Sequence, residues 1–498
     1  VRPTSQPNSL LIGGSWTAAV DGRERGVVNP YDATPLAAVA EASALEADSA
    51  VRAARAAFDE GSWAHAPAVR RAGVLTATAD ALQQHREELA LLETLDTGKT
   101  LTESRMDVDD ATAALRYYAA LATTDAGRAV DTGRPDAVSR VVHEPVGVCA
   151  LITPWNYPLL QICWKVAPAL AAGNTVVAKP SELTPLTTIR LFELLQERLA
   201  EAGAPDGTAN LLLGGGVVGA ALAEHPMVDL VSFTGGLATG RSVMHAAAGT
   251  VKRVALELGG KNPNIVFADA DLDAAVDFAL TAAFLHSGQV CSAGSRLLLH
   301  GSLHEEFTAE LARRTDLIRL GSGLAKETET GPLISAEHRA KVARHLAGAL
   351  AEGAVLRAGG SRPTEPDLQD GYFLRPTVLD GCHPGMAVVR EEVFGPVLTV
   401  ETFQDEDEAV ALANDTPYGL AGAVWTQDAG LGERVAVRLR LGTVWINDYH
   451  PYVPQAEWGG FKQSGTGREL GPSGLREYQE TKHIWRTVSP APQRWFAG

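Results

Sequence analysis

The sequence predicts an α/β protein built of two parallel-sheet units, and three observations carry that expectation. Short apolar runs of strand length alternate with Ala-rich segments of helical period, the pattern of strands joined by helical crossovers. The alternation stops at Gly259-Gly260 and then starts again. The chain has 498 residues, too many for one core when a domain averages about 150.

The elements follow in order. Segments 45–58 and 68–92 have a helical period. A strand is expected at 146–153, then a helix at 159–172 opening after Pro158, whose ring presets the first helical turn. Next come strand 175–178, helix 187–202, strand 210–213, a short helix to about 224, strand 230–233 and helix 239–248. The second series reads strand 264–267, helix 272–285, strand 296–300 and helix 303–318. Periodic segments 335–352, 397–403, 405–414, 422–426 and 442–447 follow. Segment 359–370 holds Gly, Pro and acids without apolar period and reads as a loop.

Composition narrows the function. Hydrophobic residues make up 45% and charged residues 21%, the balance of a soluble globular protein, and no apolar run approaches the roughly 20 residues of a membrane span. The N-terminal residues show no secretory signal pattern, so the cytoplasm is the expected location. Sixty acidic against 43 basic residues give a formal charge of −17. That field repels phosphate backbones and argues against nucleic acid as a partner, but not against a nucleotide cofactor. The four cysteines form no Cys-x-x-Cys pair and have no His at ligand spacing, so neither a disulfide framework nor a zinc site is expected.

Two Gly-rich turns could receive a pyrophosphate. Gly214-Gly215-Gly216-Val217-Val218-Gly219 satisfies G-x-G-x-x-G, yet the confirming acid some 20 residues on is absent. A tight turn near an adenine is the blander reading. Phe233-Thr234-Gly235-Gly236-Leu237-Ala238-Thr239 lies between a strand and a helix, where free backbone N–H groups attract phosphate. It is equally a plain turn.

Three residues could carry chemistry. Cys291 lies among Gly and Ser just past an apolar helix, which suggests a partly open thiol, whereas Cys149 and Cys163 read as small buried hydrophobes. Glu257 interrupts an apolar strand, which is costly unless the acid is paired or has a task. It reads as a structural ion pair or as a general base. Asn156 follows a strand end and either shapes a turn or donates to a developing oxyanion.

Seven blocks in order resemble the aldehyde dehydrogenase superfamily along essentially the whole chain: Pro154-Trp155-Asn156-Tyr157-Pro158, Lys179-Pro180-Ser181-Glu182, Phe233-Thr234-Gly235, Glu257-Leu258-Gly259-Gly260-Lys261, Gly288-Gln289-Val290-Cys291, Glu391-Glu392-Val393-Phe394-Gly395-Pro396 and Gly467-Arg468-Glu469. The resemblance implies two Rossmann-like domains plus a small β oligomerisation arm. An NAD-binding domain would span 1–126 and 148–257, a catalytic domain 258–480, and the arms 127–147 and 481–498. It implies Cys291 as nucleophile, Asn156 and the Cys291 backbone N–H as oxyanion donors, Glu257 as the base that activates water, and Glu469 behind it.

The implied cofactor is NAD. Lys179 and Glu182 would hold the adenine ribose, where a carboxylate disfavours a 2′-phosphate, and Glu392 and Phe394 would meet the nicotinamide ribose and ring. Ile152, Thr153, Pro154, Trp155, Ser181, Gly215, Phe233, Thr234, Gly235, Gly236, Thr239 and Leu258 complete the expected cofactor contacts. Many members carry Ser where Gly236 stands, which here leaves the pyrophosphate to Trp155 and backbone N–H groups. Asp96 matches a position where some relatives bind a monovalent cation.

Tyr157, Trp164 and Trp458 are similar to the aromatic residues that betaine aldehyde and ω-aminoaldehyde dehydrogenases place around a cationic substrate, where each good cation–π contact contributes roughly 0.5–2 kcal/mol. Plant members add a Trp at the position of Leu285, six residues before the nucleophile; Leu285 and Val290 would make that wall aliphatic. Betaine aldehyde is the first expectation, with 4-aminobutyraldehyde or an aliphatic aldehyde as the alternatives. A CoA-acylating enzyme would generally lack the acid at Glu257, a cofactor-free cysteine hydrolase would not need Lys179, Glu182 or Glu392, and a non-catalytic member would have lost Cys291 or Asn156. The family's assemblies imply a homodimer or homotetramer held through the arms, whose alternating pattern at 139–143 fits a paired strand.

Overall fold

The computed structural model describes residues 10–496. The first nine residues of the expected 1–126 segment, and the last two of 481–498, lie outside the described residues.

Two sheets organise the chain, as the alternating pattern predicts. In the first, five parallel strands run in the spatial order Arg253–Leu258, Leu230–Gly235, Val148–Ile152, Thr175–Lys179, Ala209–Leu211. Val148–Ile152 comes first in the chain but lies in the middle. Its successors build outward on one side, and Leu230–Gly235 starts the other. The crevice beyond the C-terminal ends of Val148–Ile152 and Leu230–Gly235 is therefore a topological switch point, where open α/β sheets bind ligands. The hairpin Leu10–Ile12/Ser15–Thr17 extends one edge.

The second sheet runs Val355–Ala358, Thr377–Asp380, Val397–Phe403, Arg296–His300, Pro263–Val266, Ala421–Trp425, Thr443–Ile446, all parallel except the first. Both sheets have fully buried central strands, such as Val148–Ile152 and Ala421–Trp425. That explains why these segments read as continuous apolar runs rather than as alternating ones. A third, three-stranded sheet joins Arg128–Val130, Ala137–Pro145 and Gln479–Thr487, the last two antiparallel in register from Pro145↔Gln479 to Ala137↔Thr487.

Several features depart from the sequence expectations, among them strands Val355–Ala358 and Thr377–Asp380 of the second sheet, which the pattern did not reveal. The single helix expected at 68–92 is two, Ala68–Gln84 and Arg86–Thr97, broken at His85, whose ring meets Glu88 in the first turn of the second. The longest helix, Leu101–Thr124, was not anticipated at all. It starts at a Thr100/Glu103 capping box, and its buried face carries Ser104, Asp107 and Thr112 beside apolar residues, so polar side chains hide the period. Finally, the chain returns from the second sheet to the first. Gly465–Thr466 pairs antiparallel with Leu256 and Glu257, so the expected 258–480 segment closes over the first sheet rather than standing apart from it.

Candidate active site

Helix Leu272–Phe284 ends in a tight turn, Leu285–Gly288, in which His286 and Ser287 both adopt left-handed backbone with φ of 49° and 54°. Two non-glycine residues hold this conformation only under restraint. The Ser287 N–H donates to Thr330 Oγ1 (2.9 Å) and its hydroxyl to the Gly331 carbonyl (2.5 Å), while Gln289 bridges the His286 carbonyl and the Ile334 N–H. The restrained turn delivers Cys291 to the crevice half-exposed, whereas Cys149, Cys163 and Cys382 are buried.

Asn156, on the loop after Val148–Ile152, donates from Nδ2 to the Gln289 carbonyl at 2.8 Å. An amide nitrogen carries two protons, so one anchors the side chain and the other is left for a ligand. Asn262 donates to the Cys291 and Ala293 carbonyls at 2.8 and 3.0 Å and braces the same loop from the other side. Cys291, Asn156 and Glu257 line one pocket.

Glu257 lies in strand Arg253–Leu258 with 2% of its surface exposed. Burial, and then the charge of Glu469, push its carboxyl up to about 8. It lines the same pocket as the Cys291 thiol, which burial and that carboxylate hold well above the usual thiol range. Trp458 Nε1–H donates to Glu257 Oε1 at 3.3 Å. Reciprocal backbone bonds between Trp458 and Glu469, of 2.6 and 2.8 Å, place Glu469 directly behind. Its carboxylate takes the ammonium of Lys165, which also donates to Ser232 Oγ at 3.0 Å. Sequence reasoning missed Lys165. The signal was there: one cation in Pro158–Ala172, a helix buried on every face, needs a partner as surely as Glu257 does.

The switch-point crevice continues as a groove across the first sheet. Ile152, Thr153, Pro154 and Trp155 form one lip, Phe233, Thr234, Gly235, Gly236 and Thr239 the other, and Lys179, Ser181 and Glu182 close the far end. Gly236 caps helix Leu237–Ala248 with no side-chain bond, and a Cβ there would meet nothing within 4 Å. The unpartnered Thr234 hydroxyl and this open, uncapped helix start fit a pyrophosphate. Lys179 Nζ stands 3.6 Å from Glu182 Oε2, its pKa lowered by burial.

Gly215 does not face the groove. It caps helix Gly216–Glu224 and gives its N–H to Glu41 at 3.3 Å, and Gly216 and Gly219 form the wall instead. Leu258 is buried beneath, in the space a Cβ on Gly240 would fill. At the near end the groove meets Glu392 and Phe394, with His338 and Lys341, which the sequence did not single out. Burial pushes Glu392 up to about 7, and Gly260 N–H donates to it at 3.1 Å. A Cβ on Gly259 would push the Glu392 carboxylate out of its place.

On the opposite side of Cys291 is a second pocket. Tyr157, Trp164, Leu285, Val290 and Trp458 all line it, as does the unanticipated Tyr452. Trp164, Tyr452 and Trp458 form a mutual edge-to-face cluster with centroids 5.3–6.1 Å apart. Tyr157 turns one face to the Lys99 ammonium, 3.9 Å from its centroid, and Lys99 pairs with Asp107 at 2.5 Å. Helix Leu101–Thr124 adds three acids, Glu103, Asp107 and Asp110, to the lining. The Tyr452 hydroxyl donates to Asp110 at 2.6 Å. These acids escaped the sequence reading because their helix did.

Asp96 lies outside both pockets, fully buried. Leu186 N–H donates to Oδ2 at 2.9 Å, Oδ1 has no partner among the described residues, and burial holds the carboxyl well above its usual range.

The chain belongs to the aldehyde dehydrogenase family, whose model matches residues 16–484. Among relatives, it is 56% identical to a betaine aldehyde dehydrogenase of Bacillus subtilis (strain 168), covering 98% of this chain and 99% of that one. It is 43% identical to a peroxisomal aminoaldehyde dehydrogenase of Pisum sativum, over 99% and 98% of the two chains. A crystal structure of betaine aldehyde dehydrogenase from Staphylococcus aureus in complex with NAD+ superposes with a TM-score of 0.97 at 52% identity, covering 99% of this chain and 98% of that one.

Proposed function

We propose that this chain is an NAD-dependent dehydrogenase that oxidises betaine aldehyde to its carboxylate, glycine betaine. The observation that carries the choice of aldehyde is the pocket behind Cys291. Aromatic faces of Trp164, Tyr452 and Trp458 stand beside the carboxyl groups of Glu103 and Asp110, a lining that suits a cation. The names of the Bacillus and Staphylococcus relatives support the same reading.

The chemistry follows from the geometry. Glu257 accepts the thiol proton of Cys291, and the thiolate attacks the aldehyde carbon. The resulting oxyanion is held by the free amide proton of Asn156 and the Cys291 N–H, where fixed donors cost no reorganisation. When bound, NAD supplies a hydride acceptor, which leaves a thioester on Cys291. Lys179 and Glu182 would hold its adenine ribose, the Thr234–Gly236 turn and Trp155 its pyrophosphate, and Glu392 with Phe394 its nicotinamide end. Glu257, once its first proton has passed outward, takes a proton from water, and hydroxide adds to the thioester. The Cys291 thiolate departs and takes up the proton of the carboxyl product, which leaves as its carboxylate. The Lys165–Glu469 pair behind Glu257 tunes that base and offers its proton a way out.

A second reading has its own support. Leu285 makes one wall of the pocket aliphatic, and a relative of comparable coverage is named an aminoaldehyde dehydrogenase, so a primary ω-ammonium aldehyde is the alternative substrate. Comparing kcat/KM for betaine aldehyde, 4-aminobutyraldehyde and an uncharged aldehyde of similar length decides between them. An uncharged aldehyde preferred by more than about tenfold, roughly 1.4 kcal/mol of transition-state binding, overturns both.

The remaining assignments belong to the same proposal. The described parts of 1–126 and 148–257 form the cofactor domain, 258–480 the catalytic one, and 127–147 with the described part of 481–498 the arms that join copies into a dimer or tetramer. The exposed outer strand Gln479–Thr487, with Trp485 on its surface, supports that use. The unpartnered Asp96 oxygen fits a monovalent cation. No helix among the described residues is long and apolar enough to cross a membrane, which supports a cytoplasmic setting.

A further inference from the structure

Phe394 is the one residue of the expected cofactor contacts, glycine aside, that holds a left-handed backbone, with φ of 59°. A bulky side chain adopts this conformation only where its surroundings impose it. One contact that bears on this backbone is with His338. This residue lies in the first turn of helix Ala336–Ala351, where its own N–H is fixed to the capping Ser335 hydroxyl at 3.0 Å. Its Nε2 meets the Phe394 carbonyl at 2.7 Å. A carbonyl only accepts, so this contact sets the imidazole tautomer with the proton on Nε2. Burial lowers the pKa of the ring to about 4, so the neutral form is the one present near neutrality.

The imidazole also touches both walls of the groove. Its centroid is 5.3 Å from Trp155 and 6.2 Å from Phe394, and Trp155 meets Phe394 edge-on at 5.3 Å. Trp155 hangs from the first sheet and Phe394 from the loop before strand Val397–Phe403 of the second.

We infer that His338 is a positioning residue for the dinucleotide: its Nε2–H pins the strained Phe394 carbonyl and so holds the Phe394 ring across the groove from Trp155. This rests on the reading of the groove as an NAD site.

The test uses the full chain with His338→Gln, which can still donate to the carbonyl, and His338→Phe, which keeps an aromatic ring but cannot. NADH binding is followed by fluorescence, and turnover by the isotope effect of an aldehyde deuterated at C1. The expected result is an NADH Kd within about twofold of the parent for H338Q. For H338F it is about 3–10-fold weaker, the range for one lost hydrogen bond, with a larger isotope effect. Thermal melting of both variants without cofactor checks the fold, and His338→Met repeats the comparison should H338F fail to fold. An H338F protein that binds NADH like the parent overturns the inference, as does an H338Q protein weakened as much as H338F. A parent protein that takes no NADH sinks the functional reading itself.

Discussion

Replacing Lys165 by Met tests the buried network behind the nucleophile. Lys165 is fully buried, joined to Glu469 and to the Ser232 hydroxyl, and its charge favours the ionised form of Glu257. At an effective dielectric constant of about 20, loss of one neighbouring unit charge changes a titration by on the order of 2 kcal/mol, a little under two units. Two buried carboxyls then share the space without a cation, and they cannot both ionise readily. Glu257, titrating at about 8 in the parent, would move up by a little under two units. As a base it works only when ionised, so activity rises with pH through its pKa. At pH 7 the ionised fraction falls from about one in ten to about one in 500, roughly a 50-fold loss, which returns as the pH is raised past 9. Stopped-flow absorbance separates a first burst of NADH, reporting thioester formation, from the steady state that reports hydrolysis. The steady state should fall and its inflection move to higher pH while the burst amplitude persists. An inflection that stays near 8 in K165M refutes the argument. So does a steady-state loss that higher pH does not reverse in a variant still folded by thermal melting. That control matters because breaking a buried pair costs ~3–5 kcal/mol of stability.

Three further outcomes are expected. Cys291→Ala should lower turnover by ~10⁴-fold or more while leaving the NADH Kd within about twofold, because the thiol forms the covalent bond but does not hold the cofactor. Normal turnover in that variant would end the proposal. Glu182→Gln should improve kcat/KM for NADP by about tenfold, roughly 1.4 kcal/mol for one removed like charge; an unchanged NADP/NAD ratio would show that Glu182 does not meet the ribose. Asp110→Asn should cost a cationic aldehyde about 5–10-fold in kcat/KM and an uncharged isostere nothing. Burial raises the Asp110 pKa, so the difference should shrink as the pH is lowered and the parent's carboxyl takes up its proton. Equal losses for both aldehydes would mean that Asp110 merely supports Tyr452.

How much of this was legible in the sequence depends on the range of the interaction involved. Most of the central strands of both sheets followed from local apolar pattern, since a buried parallel strand must be apolar on both faces; the edge strands Leu10–Ile12, Ser15–Thr17 and Val355–Ala358, and Thr377–Asp380 beside the last, did not. Residues Val397–Phe403 and Arg296–His300 were delimited from that pattern alone. Cys291, Asn156 and Glu257 were singled out by local signals, Gly and Ser around the thiol, a strand end before the amide and two glycines after the acid, and their proposed roles came from seven ordered blocks resembling aldehyde dehydrogenases. The contacts that tune them are long-range and left little local trace. Lys165 meets Glu469 304 residues away, and Tyr452 meets Asp110 across 342. Helix Leu101–Thr124 hid its period behind buried polar residues, and with it went the acids of the aldehyde pocket. Sequence by itself therefore determined the fold class and which atoms could react. Tertiary structure decided which charges surround them, because a buried titratable group takes its pKa from neighbours in space, and those are set by how two sheets and a returning C-terminal segment close on one crevice.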